Sequence, residues 1–226
     1  QAATQVPGLD DVSLLGRFVE QGDREALGAL FQRHAGSAFR TAMRVMRNPG
    51  EAEDAVQMAF VRVMQNAARY RGGEGVQTWI MKTVIGICKD KIRGEVRRRR
   101  REELVVESDE VGSREGSSLA VGELAGAIMG VLEELPERYR LPIWLHHYEG
   151  LTTAEAASAL AIPENTLRSQ IARGVESLKK MLGARGLAAS VPSILATLPS
   201  LPGEAVPATL SGSFAKVGRA DGPVYV

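Results

Sequence analysis

Apolar residues recur at steps of three and four over most of the chain, a spacing that predicts amphipathic helices. The first is a short helix with Val12, Leu15, Phe18 and Val19 on its apolar face. Asp23 is a good N-cap for a second helix, whose apolar side runs from Ala26 to Met43. The pattern therefore predicts an all-α protein.

Two further helices follow in the first half of the chain. Asn48 can cap the third, and Pro49 suits its first turn. Its apolar face is expected to hold Ala52, Ala55, Val56, Ala59, Phe60, Val63 and Met64. After a glycine-rich loop, Thr78 begins a long helix that ends in the run Arg97 to Arg101.

The stretch from Thr152 to Arg173 has the pattern of a helix-turn-helix. A short helix over 152–160 is followed by a tight turn over 161–163, because Pro163 disfavours helix at the residue before it. The second helix is expected to bury Leu167, Ile171, Val175, Leu178 and Leu182 and to turn Asn165, Arg168, Ser169 and Arg173 outward. Such a helix can enter a DNA major groove, where arginine reaches guanine or phosphate and asparagine reads adenine. The alternative is an ordinary helical hairpin with a solvated basic face.

Charge is unevenly distributed, although the net charge of the 226 residues is only +1. The stretch from Lys91 to Arg101 is strongly basic, which favours contact with phosphates over a solvated or localisation-type run. The next stretch, Glu102 to Gly122, is acidic and rich in Ser and Gly, as in a flexible linker between domains. From Leu187 onward, repeated prolines interrupt short apolar pieces such as 191–198, which could dock on the body or on a partner. For 212–226 a disordered tail is favoured.

Several classes of protein find no support in the sequence. The single cysteine, Cys88, predicts a core thiol in a reducing compartment, and no signal peptide or membrane span is predicted. No nucleotide fingerprint, metal-ligand cluster or nucleophile–base pair is found, so neither a cofactor nor an enzyme is predicted. A cytoplasmic location is expected.

The two halves together resemble an extracytoplasmic-function (ECF) sigma factor of the sigma-70 family of bacterial transcription initiation factors. The segment 52–63, AEDAVQMAFVRV, is similar to the conserved region 2 helix of that family, and Trp79 and 88–93, CKDKIR, to its next helix. The pieces 135–140, LPERYR, and 162–170, IPENTLRSQ, are similar to the opening and the recognition helix of region 4. The resemblance covers about 10–182.

The resemblance implies roles for these helices. It implies core RNA polymerase and promoter DNA as partners, with an anti-sigma factor as a further candidate. The third helix would bind core polymerase through Asp54, Gln57 and Phe60. The fourth would engage and help to melt the −10 element, with Trp79, Lys82, Lys91 and Arg93. The recognition helix would bind the −35 element through Asn165, Thr166, Arg168, Ser169 and Arg173.

The chain departs from the usual family pattern at four places. Met58-Ala59 replaces Glu-Thr before the region 2 phenylalanine, and Ile85-Gly86 replaces Arg-Asn in the melting helix. Ala161 replaces the glycine of the turn, so a left-handed conformation there would be strained. Asn165 replaces a glycine and tolerates such a conformation.

The predicted architecture is two small helical domains joined by a flexible acidic linker. Their boundaries are 10–101 for the region 2 body, 102–123 for the linker, 124–186 for region 4 and 187–226 for a proline-rich apolar tail. The predicted function is promoter recognition and melting as a sigma factor. The alternatives are a stand-alone helix-turn-helix regulator and a sigma-like interaction protein that does not initiate transcription.

Overall fold

The structure, a computed structural model, describes residues 8–102, 121–202 and 204–210, apart from the side chains of 99–102 and 121–123. These residues form helices and turns without a strand, in keeping with the predicted all-α fold. Most of the predicted acidic linker, and the tail over 212–226, lie outside the described residues. The helices are α1 (Asp11–Gln21), α2 (Arg24–Met46), α3 (Pro49–Asn66), α4 (Val76–Glu102), α5 (Val121–Glu134), α6 (Glu137–Ile143), α7 (Thr153–Leu160), α8 (Glu164–Ala184) and α9 (Val191–Thr197).

The chain divides into two compact units. The described residues within Gln1–Ile87 and Glu204–Val226 form the first, and those within Cys88–Gly203 form the second. The division therefore assigns the C-terminal segment partly to each unit. Among the described helices, none has the length and apolar character needed to cross a membrane.

Side-chain caps begin the helices of the first unit where the sequence predicts them. Asp23 accepts a hydrogen bond from the Ala26 amide at 3.0 Å, and Asn48 accepts one from the Glu51 amide at 3.1 Å. Each cap satisfies an amide that the first helical turn leaves without a partner. Inside the unit, the rings of Phe31 on α2 and Phe60 on α3 stack with centroids 4.3 Å apart.

The apolar face of α1 differs from the prediction. Leu14, Leu15 and Phe18 are buried, whereas Val12 is 58% exposed and Val19 is 42% exposed. The predicted face, with Val12 and Val19, and the observed face, with Leu14, both have helical spacing. When the helix is rotated about its axis to bury Leu14, the two valines turn outward. The larger leucine side chain removes more apolar surface from water than a valine does.

In the second unit, α5 and α6 meet at the buried guanidinium of Arg140. Its Nη1 donates to the carbonyl oxygens of Glu133 at 3.1 Å and Leu135 at 3.0 Å, at the end of α5. Arginine can satisfy the last carbonyls of a helix in this way. Pro142 lies inside α6, and the chain continues as a π-helical turn over Trp144–Tyr148, in which the Glu149 amide donates to the Trp144 carbonyl at 3.0 Å.

The close packing of α6 and α8 depends on Gly174. A Cβ placed on this residue would lie 2.6 Å from Ile143 Cδ1 and 3.1 Å from Tyr139 Cβ, both on α6. The first distance is shorter than real Cβ contacts and the second is tighter than most, so a larger residue here would force the Ile143 and Tyr139 side chains to shift.

The helix-turn-helix forms as predicted from α7 and α8. Thr152 and Glu155 form a capping box at the start of α7, and Pro163 precedes α8. Ala161 has φ 55° and ψ 45°, the left-handed conformation expected at the turn. Asn165 lies inside the first turn of α8, and the positive-φ non-glycine residues of the described chain are Arg47 and Ala161.

Part of the apolar C-terminal segment packs on the protein. Helix α9 contacts α5 and α8, and it buries Ile194 completely, with Leu198 of the following 3-10 turn 1% exposed. Further along, the Glu204 carboxylate pairs with Arg44 of α2 at 2.8 Å within the first unit.

Candidate nucleic-acid and protein interfaces

The outward face of α8 presents the five residues that the sequence singles out for DNA reading. Leu167, Gly174, Val175, Leu178 and Leu182 are buried on one side of α8. The exposed residues on the other side are Asn165, Thr166, Arg168, Ser169 and Arg173. The helix therefore has an exposed polar face opposite a buried apolar one, which is the arrangement of a helix that lies in a major groove.

The position of Arg168 on that face is set by its neighbours. Glu164 Oε1 accepts hydrogen bonds from Arg168 Nη2 at 2.5 Å and Nε at 3.1 Å, and from Thr153 Oγ1 at 2.9 Å. These donors lower the pKa of the Glu164 carboxyl below its usual value, Arg168 being the largest cause and Thr153 the next. The guanidinium, 63% exposed, is thus held at the edge of the reading face by a carboxylate that remains ionised at neutral pH.

A second surface runs along the outside of α3. Asp54, Met58, Val61 and Gln65 recur at steps of three and four, and all four are exposed. Met58 is 49% exposed and Val61 is 47% exposed, so two large apolar side chains sit in this stripe. Adjacent exposed apolar side chains that are rimmed by polar ones are typical of protein–protein contact sites.

The two residues that depart from the family pattern, Met58 and Ala59, lie on different sides of α3, and so do the predicted contact residues next to them. Met58 belongs to the exposed stripe, whereas Ala59 is buried and cannot touch a partner. Gln57 lies at the edge of the stripe and donates to Glu53 Oε1 at 3.2 Å. Phe60, which is expected to bind polymerase, is 1% exposed, so its side chain supports α3 from within the core instead of contacting another protein.

The C-terminal end of α3 and the start of α4 enclose an aromatic cavity. The rings of Tyr70 and Trp79 lie with centroids 5.3 Å apart and tilted by 33°. The Tyr70 hydroxyl donates to the Glu74 carbonyl, which ties the ring to the glycine-rich loop, and burial together with Glu74 raises the pKa of the tyrosine. This cavity has a volume of about 350 Å³ and is lined by Arg62, Asn66, Arg69, Tyr70, Trp79 and Thr83.

Trp79, Arg62 and Thr83 also line a second cavity, of about 330 Å³, together with Glu74, Lys82 and Gly86. Lys82 pairs with Glu74 at 3.5 Å and stays 46% exposed. A Cβ on Gly86 would meet nothing within 4 Å, so no packing requires the glycine there. Trp79 is thus a shared wall of two adjacent openings, not only a core side chain.

The other two predicted −10 residues lie further along α4. Arg93 is exposed and pairs with Asp90 at 3.2 Å, and Lys91 is half-buried. Neither residue lines the two cavities, because nine residues of helix separate Lys91 from Lys82, about 14 Å along the axis. Their place on the same helix is compatible with contacts to the backbone of a longer nucleic-acid segment.

Sequence reasoning assigned Asp54 on the outer side of α3 to a binding surface but did not assign Met58, Val61, Arg62 or Asn66 to one. Arg62 and Asn66 are polar residues at the end of an amphipathic helix, where a solvated side chain is the ordinary expectation. Met58 and Val61 belong to an apolar type that usually packs inside. The available signal was that both fall outside the buried stripe of Ala52, Ala55 and Val56 when positions are assigned by helical period.

Within the described residues, no three His, Cys, Asp or Glu side chains come together in a way that could hold a metal ion. Cys88 is completely buried, and burial raises the pKa of its thiol to about 12. It therefore stays protonated and unreactive at neutral pH.

Two family models match the chain in order. Sigma-70 region 2 matches residues 30–100, and Sigma-70 region 4 matches residues 125–178. The first match contains α3 with the exposed stripe and both cavities, and the second contains the helix-turn-helix. The two sets of candidate residues thus fall in the two matched regions.

Curated relatives align over most of their length. The ECF RNA polymerase sigma factor SigK of Mycolicibacterium vanbaalenii is 28% identical over 186 residues, which cover 80% of this chain and 95% of the relative. SigM of Mycobacterium tuberculosis, also an ECF RNA polymerase sigma factor, is 29% identical over 76% of this chain and 85% of its own. SigW of Bacillus subtilis is 27% identical over 73% and 92%.

Solved structures show the same fold. CnrH in complex with the cytosolic domain of CnrY matches with a TM-score of 0.53 and 21% identity, over 77% of this chain and 97% of that one. The sigma factor RpoE in complex with the anti-sigma factor NepR from Bartonella quintana matches with a TM-score of 0.52 and 20% identity, over 66% and 92%. With both regions matched in chain order and ECF relatives aligned over most of their length, the chain belongs to the extracytoplasmic-function group of the sigma-70 family of RNA polymerase sigma factors.

Proposed function

We propose that this sigma factor divides its work among three surfaces, one for polymerase and two for the promoter. The observation that carries the proposal is the division of α3. Its outward stripe presents Asp54, Met58 and Val61, while Arg62 at its side lines the cavities beside Trp79. One helix can therefore hold a protein partner and a nucleic-acid strand at the same time.

The exposed stripe of α3 is proposed as the contact with core RNA polymerase. Asp54 and Gln57 supply polar groups, and Met58 and Val61 supply apolar area that a partner would remove from water. The change from a family glutamate to Met58 shifts this contact towards apolar burial. Phe60 acts here by holding α3 against α2 through its stack on Phe31.

The cavities around Trp79 are proposed to hold bases of the melted −10 element. An unpaired base can stack on an aromatic ring, and such stacking contributes roughly 1–3 kcal/mol per base. Arg62, Arg69 and Lys82 provide positive charge beside the rings, which attracts the phosphates of a single strand. Lys91 and Arg93 would extend this contact along α4.

The outer face of α8 is proposed to read the −35 element. Arg168 is the best-placed base reader, because Glu164 holds its guanidinium in a fixed orientation at the edge of the face. Asn165, Thr166, Ser169 and Arg173 complete the contact with bases and phosphates. The role assigned to the protein in this proposal is binding, with no reaction of its own.

A protein antagonist belongs to the same proposal. One of the similar solved structures is the sigma factor RpoE bound to the anti-sigma factor NepR, and the other is CnrH bound to the cytosolic domain of CnrY. The exposed apolar side chains of α3 offer such a protein a binding surface, on which it would compete with polymerase.

Two variants, each with its own control, separate the proposed surfaces of α3. D54R should abolish binding to purified core polymerase, whereas the charge-matched control E20R on α1 should bind normally. R62A should bind core polymerase but give less permanganate-reactive thymine in the promoter, and the control Q32A, at an exposed position of α2 outside both surfaces, should melt DNA as the unaltered protein does. Loss of core binding in R62A, or normal melting in R62A, would contradict the assignment of the two sides of α3.

A further inference from the structure

The second unit has an apolar groove that is already filled by a helix of this chain. Helix α9 lies against α5 and α8, with Ile194 completely buried, and the 3-10 turn that follows buries Leu198. Residues 191–198 lie beyond the end of the region 4 match at residue 178. The groove belongs to the matched part of the chain, and its occupant does not.

This docked helix lies beside the reading face of α8. Val191 and Leu195 of α9 line a cleft of about 460 Å³ together with Arg168, Ile171 and Val175 of α8. Arg168 therefore faces two neighbours, Glu164 along its own helix and the cleft formed with α9. A DNA duplex that binds at this edge of α8 must come close to α9.

The packing of α9 on α5 and α8 is of a kind that can be reversed. Helix α9 has seven residues, a length at which an isolated helix is not stable in water, so its helical form depends on the groove. It starts with a side-chain cap, in which Ser190 accepts from the Ser193 amide at 3.2 Å, and it is fixed mainly by Ile194 and Leu198. A small number of apolar anchors gives a contact that a competitor can displace.

We propose that α9 is a built-in inhibitor that occupies the groove of α5 and α8 and restrains the Arg168 edge of the reading face until it is released. The proposal rests on the proposed promoter-reading role of α8. Release of α9 should raise promoter use at a given protein concentration.

Two readouts test the proposal in the full chain. The native thiol is buried and unreactive, so V175C, at a position that is 5% exposed in the cleft, supplies a single reporter for maleimide labelling. I194D should release α9 and speed labelling strongly, whereas A196D adds the same charge at an exposed position of α9 and should label slowly. Transcription by core polymerase should rise roughly tenfold with I194D, the size of a typical coupling between sites, and not with A196D.

A second variant protects the test against misfolding. A chain that ends at Ala189 lacks α9; its far-ultraviolet circular dichroism should show that the remaining helices stay folded, and its transcription should rise as with I194D. Fast labelling without a rise in transcription, or slow labelling in I194D, would overturn the inhibitor. Binding of the unaltered chain to core polymerase is measured as a control. If the sigma-factor role itself is wrong, the unaltered chain and all variants will neither bind core polymerase nor support transcription. If only the inhibitor role is wrong, the unaltered chain will still bind.

Discussion

Glu164 and Arg168 form an ion pair, with Oε1 to Nη2 at 2.5 Å, one turn apart on the recognition helix. Thr153 of α7 donates to the same carboxylate oxygen, so the pair also fixes the junction between the two helices of the motif. The lowered pKa of Glu164 means that the ionised pair stabilises the fold above the ordinary pKa of 4.5 and is lost as the pH falls through the lowered value. At neutral pH, Arg168 is therefore presented in one preferred orientation.

The first prediction concerns base discrimination by Arg168. R168A should reduce transcription from the cognate −35 sequence by an amount equivalent to ~1–3 kcal/mol, and it should relax the preference at one base pair. E164Q should retain the arginine but lose part of that preference, because the guanidinium is no longer held in place. The measurement is the ratio of transcripts from the cognate promoter and from its single-base variants.

A control on the same helix is E176Q, which changes the charge equally and should leave the ratio unchanged. An equal loss on every promoter in R168A would show that this side chain only contacts phosphate.

The second prediction contrasts two glycines within helices. G174A should destabilise the second unit by ~1–2 kcal/mol, because the added Cβ meets Ile143 and Tyr139. G86A should stabilise the first unit by up to ~1 kcal/mol, since nothing lies within 4 Å and alanine favours a helix. Trp79 lies in the first unit and Trp144 in the second, so the fluorescence of single-tryptophan variants follows each unit separately.

Helix propensity alone would rank the two substitutions as equally favourable. Stabilisation by G174A would contradict the prediction and show that the Ile143 and Tyr139 side chains shift at little cost.

The third prediction concerns strain at the turn of the helix-turn-helix. Ala161 adopts φ 55°, a conformation that costs an alanine roughly 1–2 kcal/mol and a glycine much less. A161G should therefore raise the melting temperature of the second unit, by an amount equivalent to ~1 kcal/mol. The matched control A154G, at an exposed position inside α7, should lower it; a decrease in both variants would exclude strain at Ala161.

The fourth prediction is a pH dependence caused by His147. Burial, and next the charge of His146, lower the pKa of His147 below its ordinary value of 6.5. The unfolded chain then binds the proton more tightly than the folded one, so this residue destabilises the second unit as the pH falls below 6.5. Chemical denaturation followed by Trp144 fluorescence should show lower stability at acid pH, and H147Q should reduce the slope; an unchanged slope would contradict the assignment.

The sequence predicted the parts of the fold that local chemistry determines. The caps at Asp23 and Asn48 and the turn at Pro163 follow from the properties of single residues or short motifs. The left-handed conformation of Ala161 opposes the preference of alanine, and only the glycine that the family usually has at this position pointed to it. The buried side of α8 followed from periodicity, because its apolar residues allow one rotation of the helix about its axis.

The parts that were missed depend on contacts between distant segments. The face of α1 could not be assigned because Val12, Leu14, Leu15 and Val19 allow two rotations of a short helix, and packing on α2 selects one of them. The burial of Phe60 depends on Phe31, a partner 29 positions earlier in the chain. The cavity beside Trp79 needs α3 and α4 to be placed in space, and no spacing along the chain contains that information.

The decisive measurement is transcription by purified bacterial core polymerase on a random-promoter library, with and without the protein. We expect transcripts that depend on the protein and start downstream of one shared two-part motif, with upstream preferences that change in R168A and melting that fails in R62A. Core binding without such transcripts, or specific duplex binding without any affinity for core polymerase, would contradict this expectation.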